Sequence, residues 1–274
     1  MVSRIGIVQL TSTNNLLNNL NKVKSYISKS LSDNLDILVF PEATDFISEN
    51  KQQSYELAQN VNKDFLSPLQ EFIKSLNLNK LHVFIGVHLP STKSPETKIR
   101  NCLLLISNTG EIINNYQKIH TFDVPKVDII ESNLVEKGVE LPELQSISDL
   151  KIGPNICYDI RFPEQACYLR ELGANVLLYP SAFTMLTGKL HWDILGKARS
   201  LDTQCYSVLV GQVGQHNEKR ASWGHSKIIG PWGDVLLELK ETEEDYGFLE
   251  ININDLEKVR DGMPLFDQKP NNMF

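Results

Sequence analysis

The chain has 274 residues, 41% hydrophobic and 22% charged, with 27 Lys and Arg against 34 Asp and Glu for a net charge of −7; such a composition can bury a core without covalent staples. The acidic balance and the lack of a basic run exclude a phosphate-backbone ligand and an anionic membrane surface, so neither nucleic acid nor membrane is expected as a partner. No window approaches the ~18 uninterrupted apolar residues of a membrane span, and Met1-Val2-Ser3-Arg4 ahead of an alternating apolar run has the character of neither a signal peptide nor an Arg-rich transit peptide.

Ile5 to Leu10 reads as a first strand. Leu16, Leu20, Val23, Ile27 and Leu31 then recur at helical steps and share one face. Asp36 to Phe40 is a strand ending at Pro41, and Leu66, Leu69, Phe72, Ile73 and Leu76 mark a second helix before the strand His82 to Val87. The strands Cys102 to Ile106 and Glu111 to Tyr116 flank Ser107-Asn108-Thr109-Gly110, a tight hairpin turn. Ile152 to Cys157 and Val176 to Tyr179 are strands separated by the helix Pro163 to Leu172, and the helix His191 to Gln204 feeds the strand Tyr206 to Gln212. Lys227 to Gly230, Val235 to Leu239 and Phe248 to Ile253 follow as strands with no helix of any length between them. The pattern predicts an α/β protein with a mixed sheet, partly antiparallel, and helices on one face of each sheet layer. With no repeat, linker or low-complexity tract, residues 1–274 read as one domain.

Cys102, Cys157, Cys167 and Cys205 are too few and too scattered for a disulfide scaffold or a CxxC site. Free thiols in a reducing compartment, the cytoplasm, are expected. Cys157 alone has turn-forming and ionisable neighbours: it ends an apolar run just before Tyr158-Asp159-Ile160-Arg161-Phe162-Pro163-Glu164. A cysteine at such a strand-to-helix turn sits at the tip of a sheet, with backbone N–H groups nearby to receive an oxyanion. The alternative is a small buried hydrophobe, which suits Cys102 and Cys205, inside or abutting apolar strands, while Cys167 sits on a helix among Tyr168 and Leu169. Glu42 likewise lies just past the carboxyl end of a strand, where ligands gather in α/β sheets. Its apolar setting, Val39-Phe40-Pro41 and Ala43, predicts a raised pKa and a carboxylate that takes a thiol proton near neutral pH; a solvated loop glutamate is the competing reading. Lys118 follows the strand Glu111 to Tyr116 and, if turned inward, supplies a fixed positive charge for a tetrahedral oxyanion. Glu131 is a further acid shortly before the nucleophile strand, or a solvated loop residue. No histidine is placed to pair with Cys157, and His191 is expected to open its helix and pack there. Neither a glycine-rich phosphate loop nor a zinc-ligand spacing occurs, which leaves cysteine-based acyl transfer with no cofactor and no metal.

Val39-Phe40-Pro41-Glu42-Ala43, Tyr116-Gln117-Lys118-Ile119-His120 and Ile156-Cys157-Tyr158-Asp159-Ile160-Arg161-Phe162-Pro163-Glu164 resemble, in order and spacing, the motifs of the carbon-nitrogen hydrolase (nitrilase) superfamily, over essentially the whole chain. The resemblance implies a four-layer α-β-β-α sandwich, commonly dimerised, and a Glu-Lys-Cys triad. Carried over, Glu42 is the general base, Lys118 the oxyanion stabiliser and Cys157 the nucleophile; Glu131 matches a further glutamate that orients Lys118 or substrate, although the Pro-Gly expected after it is Lys137-Gly138 here. Tyr179-Pro180-Ser181-Ala182-Phe183, Thr187-Gly188, His191-Trp192, Gln204-Cys205-Tyr206 and Glu218-Lys219-Arg220-Ala221-Ser222 resemble the amidase branch Nit. That branch hydrolyses deaminated glutathione or α-ketoglutaramate, and Tyr-Pro-Ser-Ala-Phe with Glu-Lys-Arg-Ala-Ser is similar to the group acting on the first. Thr121 and Met185-Leu186 depart from the pattern and bear on pocket shape. The implied reaction is amide hydrolysis through a thioester, with the Tyr158 N–H on the oxyanion. Arg161 would meet the α-keto carboxylate with two hydrogen bonds, Thr187 would add a hydroxyl and Phe183 would pack on the aliphatic part; Arg161 could instead cap its helix or bridge to Glu164. A nitrile or carbamoyl-amide hydrolase and a non-catalytic binding module are the rivals.

Overall fold

The computed structural model describes residues 2–125 and 129–270; Met1, which heads the N-terminal reading, lies outside them. Two six-stranded sheets form the centre. The first has β1 (Val2–Gln9), β2 (Ile37–Val39) and β3 (His82–Pro90) in parallel, with β4 (Ile99–Ile106) and β5 (Ile112–Gln117) antiparallel beyond β3 and β16 (Asp245–Asn252) antiparallel beyond β1. The second repeats the plan: β9 (Leu150–Pro154), β10 (Val176–Ser181) and β11 (Tyr206–Gly211) run parallel, flanked by antiparallel β8 (Gln145–Ile147), β14 (Lys227–Ile229) and β15 (Val235–Glu238). Short pairs β6–β7 (Asp123–Val124, Ile129–Ile130) and β12–β13 (Val213–Asn217, Arg220–Trp223) lie outside the sheets.

The alternation of side chains along each strand sorts the core into three layers. Ile5, Ile7, Ile37, Val39, Leu103 and Leu105 face Ile152, Val176, Leu178, Val208 and Val210 between the sheets. The opposite faces, Val83, Ile85, Val87 and Leu104 among them, meet α1 (Leu16–Ser30), α2 (Lys51–Val61) and α3 (Ser67–Ser75). Leu177, Tyr179 and Leu209 meet α4 (Pro163–Glu171) and α5 (Met185–Thr203). The result is the expected four-layer α-β-β-α sandwich. No helix among the described residues is long and apolar enough to cross a membrane.

Several bounds move. Leu31 begins a 3₁₀ turn after α1 and is exposed, because Asn34 turns left-handed at φ 51° and breaks the helical face. The single helix expected around Leu66 to Leu76 is the last part of a longer stretch, α2, a π-helical turn Asn62–Leu66 and α3. α5 starts at Met185 rather than His191, since the Thr184 hydroxyl caps it by accepting the Thr187 N–H. A further helix, α6 (Ile253–Gly262), follows β16, with the Asn252 side chain as its cap.

Candidate active site

Glu42 leaves the carboxyl end of β2 in a loop that the neighbouring strand admits only at a glycine. A Cβ on Gly86 would stand 2.5 Å from the Pro41 oxygen. The Gly86 N–H donates to that oxygen, and the Thr44 N–H donates to the Gly86 carbonyl. Ala43 takes φ 56°. From the second sheet, Gln212 donates through Nε2 to the carbonyls of Glu42 and Ala43 at 3.0 and 3.1 Å, which fixes the loop across the two layers.

The Glu42 carboxylate is buried and accepts at Oε1 from Asn101 Nδ2 at 2.7 Å and from Lys118 Nζ at 3.0 Å. Lys118, 2% exposed, also donates to both oxygens of Glu131 at 3.0 and 3.1 Å. The Glu131 carboxylate in turn accepts the Phe122 N–H. Backbone bonds hold Lys118 on either side: its N–H donates to Asn101 and its carbonyl accepts from Gly138. The glycine of the variant Lys137-Gly138 pair is thus the member that touches Lys118. The expected rise in the Glu42 pKa is reversed. Burial does push it up, but the Lys118 ammonium, the Cys157 thiol and the Asn101 amide together outweigh burial and bring it from 4.5 down to about 2. For Lys118, burial is likewise outweighed by Glu131 and Glu42, which hold its ammonium well above the ordinary range.

Cys157 opens a 3₁₀ turn, Cys157–Arg161, three residues past β9, with φ at 46°. That left-handed backbone is strained for a residue with a Cβ. Asp159 stabilises it: Oδ2 accepts the Ile156 N–H at 2.9 Å and the Tyr116 hydroxyl at 2.8 Å, and Oδ1 lies 2.7 Å from His120 Nδ1. The thiol donates to the Glu42 carboxylate, and burial followed by the Glu42 charge pushes its pKa up, against the Lys118 ammonium and the Ala182 N–H. Both directions, Glu42 down and Cys157 up, favour a proton on sulfur beside an ionised carboxylate.

A cavity of about 810 Å³ opens over this cluster, lined by Glu42, Lys118, Glu131 and Cys157 and by Tyr158, Arg161, Phe183 and Thr187. Arg161 neither caps α4 nor pairs with Glu164. Its Nη2 is 3.1 Å from His191 Nδ1, and its guanidinium lies over the Tyr158 and Phe183 rings at 5.7 and 5.6 Å. His191 is therefore in the middle of α5 meeting Arg161, not a packing residue at a helix start. Phe183 packs on Trp192, and the Thr187 hydroxyl is 2.9 Å from that of Thr184. A Cβ on Gly188 would stand 2.1 Å from Trp223 Cγ, so glycine is what lets this wall close on β13. Asn101, Gln212 and the Asp159–His120 pair escape a reading of spacing alone; the signal available was a polar residue interrupting an apolar run, at Asn101 inside β4. Among the described residues no group of three His, Cys, Asp or Glu is arranged to hold a metal.

The carbon-nitrogen hydrolase family profile matches residues 4–261. The nitrilase and fragile histidine triad fusion protein NitFhit of Drosophila melanogaster is 39% identical over 273 residues, covering 98% of this chain and 58% of its own length. Deaminated glutathione amidase of Dictyostelium discoideum is 36% identical over 280 residues, covering 100% and 96%. The crystal structure of Caenorhabditis elegans NitFhit superposes with a TM-score of 0.93 at 31% identity, covering all of this chain and 66% of that one. The chain thus spans less than two thirds of the fusion proteins it resembles. On the profile match and on these identities, the chain belongs to the carbon-nitrogen hydrolase family.

Proposed function

We propose that the chain is a cysteine-dependent amidase that hydrolyses a small α-keto-acid amide, with deaminated glutathione as the favoured substrate. The observation that carries this reading is the strained Cys157 elbow, whose thiol donates to a Glu42 carboxylate held ionised by Lys118, beneath a cavity that also contains Arg161. The relatives named deaminated glutathione amidase and the run Glu218 to Ser222 point to the substrate.

With the thiol pKa held up and the Glu42 pKa held down, proton transfer and attack proceed together in this reading. The Sγ–H proton moves to Glu42 as sulfur bonds to the amide carbonyl carbon, and the charge arriving on the carbonyl oxygen meets Lys118 Nζ and the Tyr158 N–H. Glu42 then gives that proton to the amide nitrogen, the C–N bond breaks and a thioester remains. Water gives a proton to Glu42 as it attacks the thioester carbon, and the acid leaves as Sγ regains that proton. Glu131 positions Lys118. Arg161 takes the α-keto carboxylate, which fits a guanidinium whose described neighbours are two aromatic faces and an imidazole.

The decisive experiment compares kcat/KM on deaminated glutathione and on α-ketoglutaramate, with a nitrile and a carbamoyl amide as controls. The larger value is expected for deaminated glutathione. A larger value for α-ketoglutaramate moves the chain to ω-amidase activity, nitrile turnover moves it to that class, and no turnover with no electrophile labelling of Cys157 leaves a binding module. The site takes Glu42 and Lys118 from the first sheet and Cys157 from the second, so we read residues 1–274 as one domain. All four cysteines are free, in keeping with a cytoplasmic enzyme, and the exposed apolar residues Met185, Leu186, Leu190 and Ile194 on α5 support a homodimer.

A further inference from the structure

We propose that Lys51, Lys219 and Arg220 form a second anion subsite at the outer rim of the cavity, one that receives a carboxylate on the leaving-group side of the scissile amide. The proposal deepens the α-keto amidase reading and rests on it for the identity of the ligand.

The chain carries a net charge of −7, yet five cations line this cavity, Lys51, Lys118, Arg161, Lys219 and Arg220, against two carboxylates, Glu42 and Glu131. Both carboxylates bind Lys118. The other four cations make no ion pair among the described residues, so no carboxylate of the cavity lining is committed to them. Arg161 is half-buried and four residues from the nucleophile; Lys51, Lys219 and Arg220 are exposed and lie farther out.

Lys51 is distant in sequence from the adjacent Lys219 and Arg220, but all three are built into one rim. Lys219 lies in the turn between β12 and β13, and Arg220 begins β13. The Asn217 side chain shapes that turn by accepting the N–H groups of Lys219 and Arg220 at 3.0 and 3.1 Å. Its Nδ2 donates to the Ser48 carbonyl at 3.3 Å, which draws the turn onto the segment leading into α2, where Lys51 is the first residue. Two acids adjoin the rim in sequence, Glu49 and Glu218; neither lines the cavity, and the Glu49 carboxylate is turned to Asn14 rather than to Lys51.

Two separated positive centres suit a ligand with a carboxylate at each end. An amide of an α-keto diacid with ammonia has one carboxylate, for Arg161. The same acyl group joined to a peptide has a second at the peptide C-terminus, and a volume of about 810 Å³ lies within the ~300–1,000 Å³ range of pockets that enclose ligands of that larger size. The rim would therefore select the leaving group and act in acylation.

The test uses two substrates that differ in one charge: deaminated glutathione and its C-terminal glycinamide. In the wild-type protein the acid should exceed the amide in kcat/KM by about tenfold or more, and the ratio should shrink with added salt. In Lys51→Ala/Lys219→Ala/Arg220→Ala it should fall to near one through loss on the acid. A wild-type ratio near one, or a ratio that the triple variant preserves, overturns the subsite. If the wild-type protein turns over neither compound, the amidase reading fails instead. The subsite is then read by calorimetry on Cys157→Ala: tighter binding of the acid that the triple variant abolishes supports it, and equal Kd values overturn it.

Discussion

The two sheets share one plan, three parallel strands with antiparallel flanks, but they carry different loads. The first places buried charge and a polar partner at its edge: Glu42 after β2, Lys118 just past β5 and the neutral amide of Asn101 in β4, each bonded to another of the three. The second places strain and exposure there: Cys157 at φ 46° and Arg161 on the cavity wall. The outer layers differ too. Among the helices on the first sheet the exposed large hydrophobic is Leu17, whereas α5 on the second exposes Met185, Leu186, Leu190, Ile194 and Leu201. One half is finished by its own hydrogen bonds, and the other is left reactive within and apolar without.

Removing the second sheet's contribution should have the largest effect. Cys157→Ala abolishes turnover while Tm moves by no more than about 4 °C, since a small side chain is lost and the elbow bonds of Asp159 persist; activity like that of the wild type would overturn the nucleophile. Lys118→Met attacks the first sheet. It should lower kcat/KM by on the order of 10³ and destabilise the fold by roughly 3–5 kcal/mol, because Glu42 and Glu131 lose their shared cation. The sign of its pH response is diagnostic. In the wild type Glu42 titrates at about 2, below its ordinary 4.5. Its stabilisation is present above that ordinary value and fades as pH falls toward the folded one. In the variant the Glu42 pKa is raised, so urea midpoints at about pH 7 and about pH 4 should show acid favouring the variant relative to the wild type. Equal shifts would remove Lys118 as the cause.

The thiol separates a resting ion pair from a resting neutral pair. Burial and Glu42 hold the Cys157 pKa above its ordinary value, so alkylation by iodoacetamide should accelerate through about pH 7 to about pH 10 with no plateau. A plateau below about pH 8 would show a preformed thiolate and reverse the order of the first step. Arg161→Lys keeps the charge and loses the planar fork, and should raise KM for α-keto amides about tenfold with kcat little changed; an unchanged KM removes Arg161 from carboxylate recognition.

Much of this was legible because it follows from strand ends. The apolar runs before Pro41 and before Tyr158 announce that Glu42 and Cys157 leave sheet edges, and the unbroken apolar run Cys102 to Ile106 marks a strand covered on both faces. Charge states were not legible. The apolar neighbours of Glu42 suggested a raised pKa, but Lys118 and Asn101 come from elsewhere in the chain and decide the sign. The cap at Thr184 and the helix α2 were missed for a related reason: α2 buries only Ser54, Ala58 and Val61, two of them small, so its apolar stripe is thin.

The outer face of α5 gives the last and smallest expected effect on chemistry. Leu190 and Ile194 lie one helical turn apart at 53% and 69% exposure, on a helix whose buried side already packs Trp192 and Gly196 against the second sheet. A helix apolar on both sides is half-covered unless a second molecule meets it, and a second copy presents the same stripe across a two-fold axis. Ile194→Glu on each copy would place two carboxylates in that contact. In size-exclusion chromatography with light scattering, the wild type is expected to elute as a dimer and the variant, at the same concentration, as a monomer. Its kcat should stay within about threefold, because the residues around Cys157 come from one chain and only the Met185–Thr187 end of α5, which lines the cavity, feels the loss. A variant that remains a dimer would place the interface elsewhere, and a monomer that lost activity entirely would show that the second sheet's wall needs a partner to hold Thr187 and Phe183 in place.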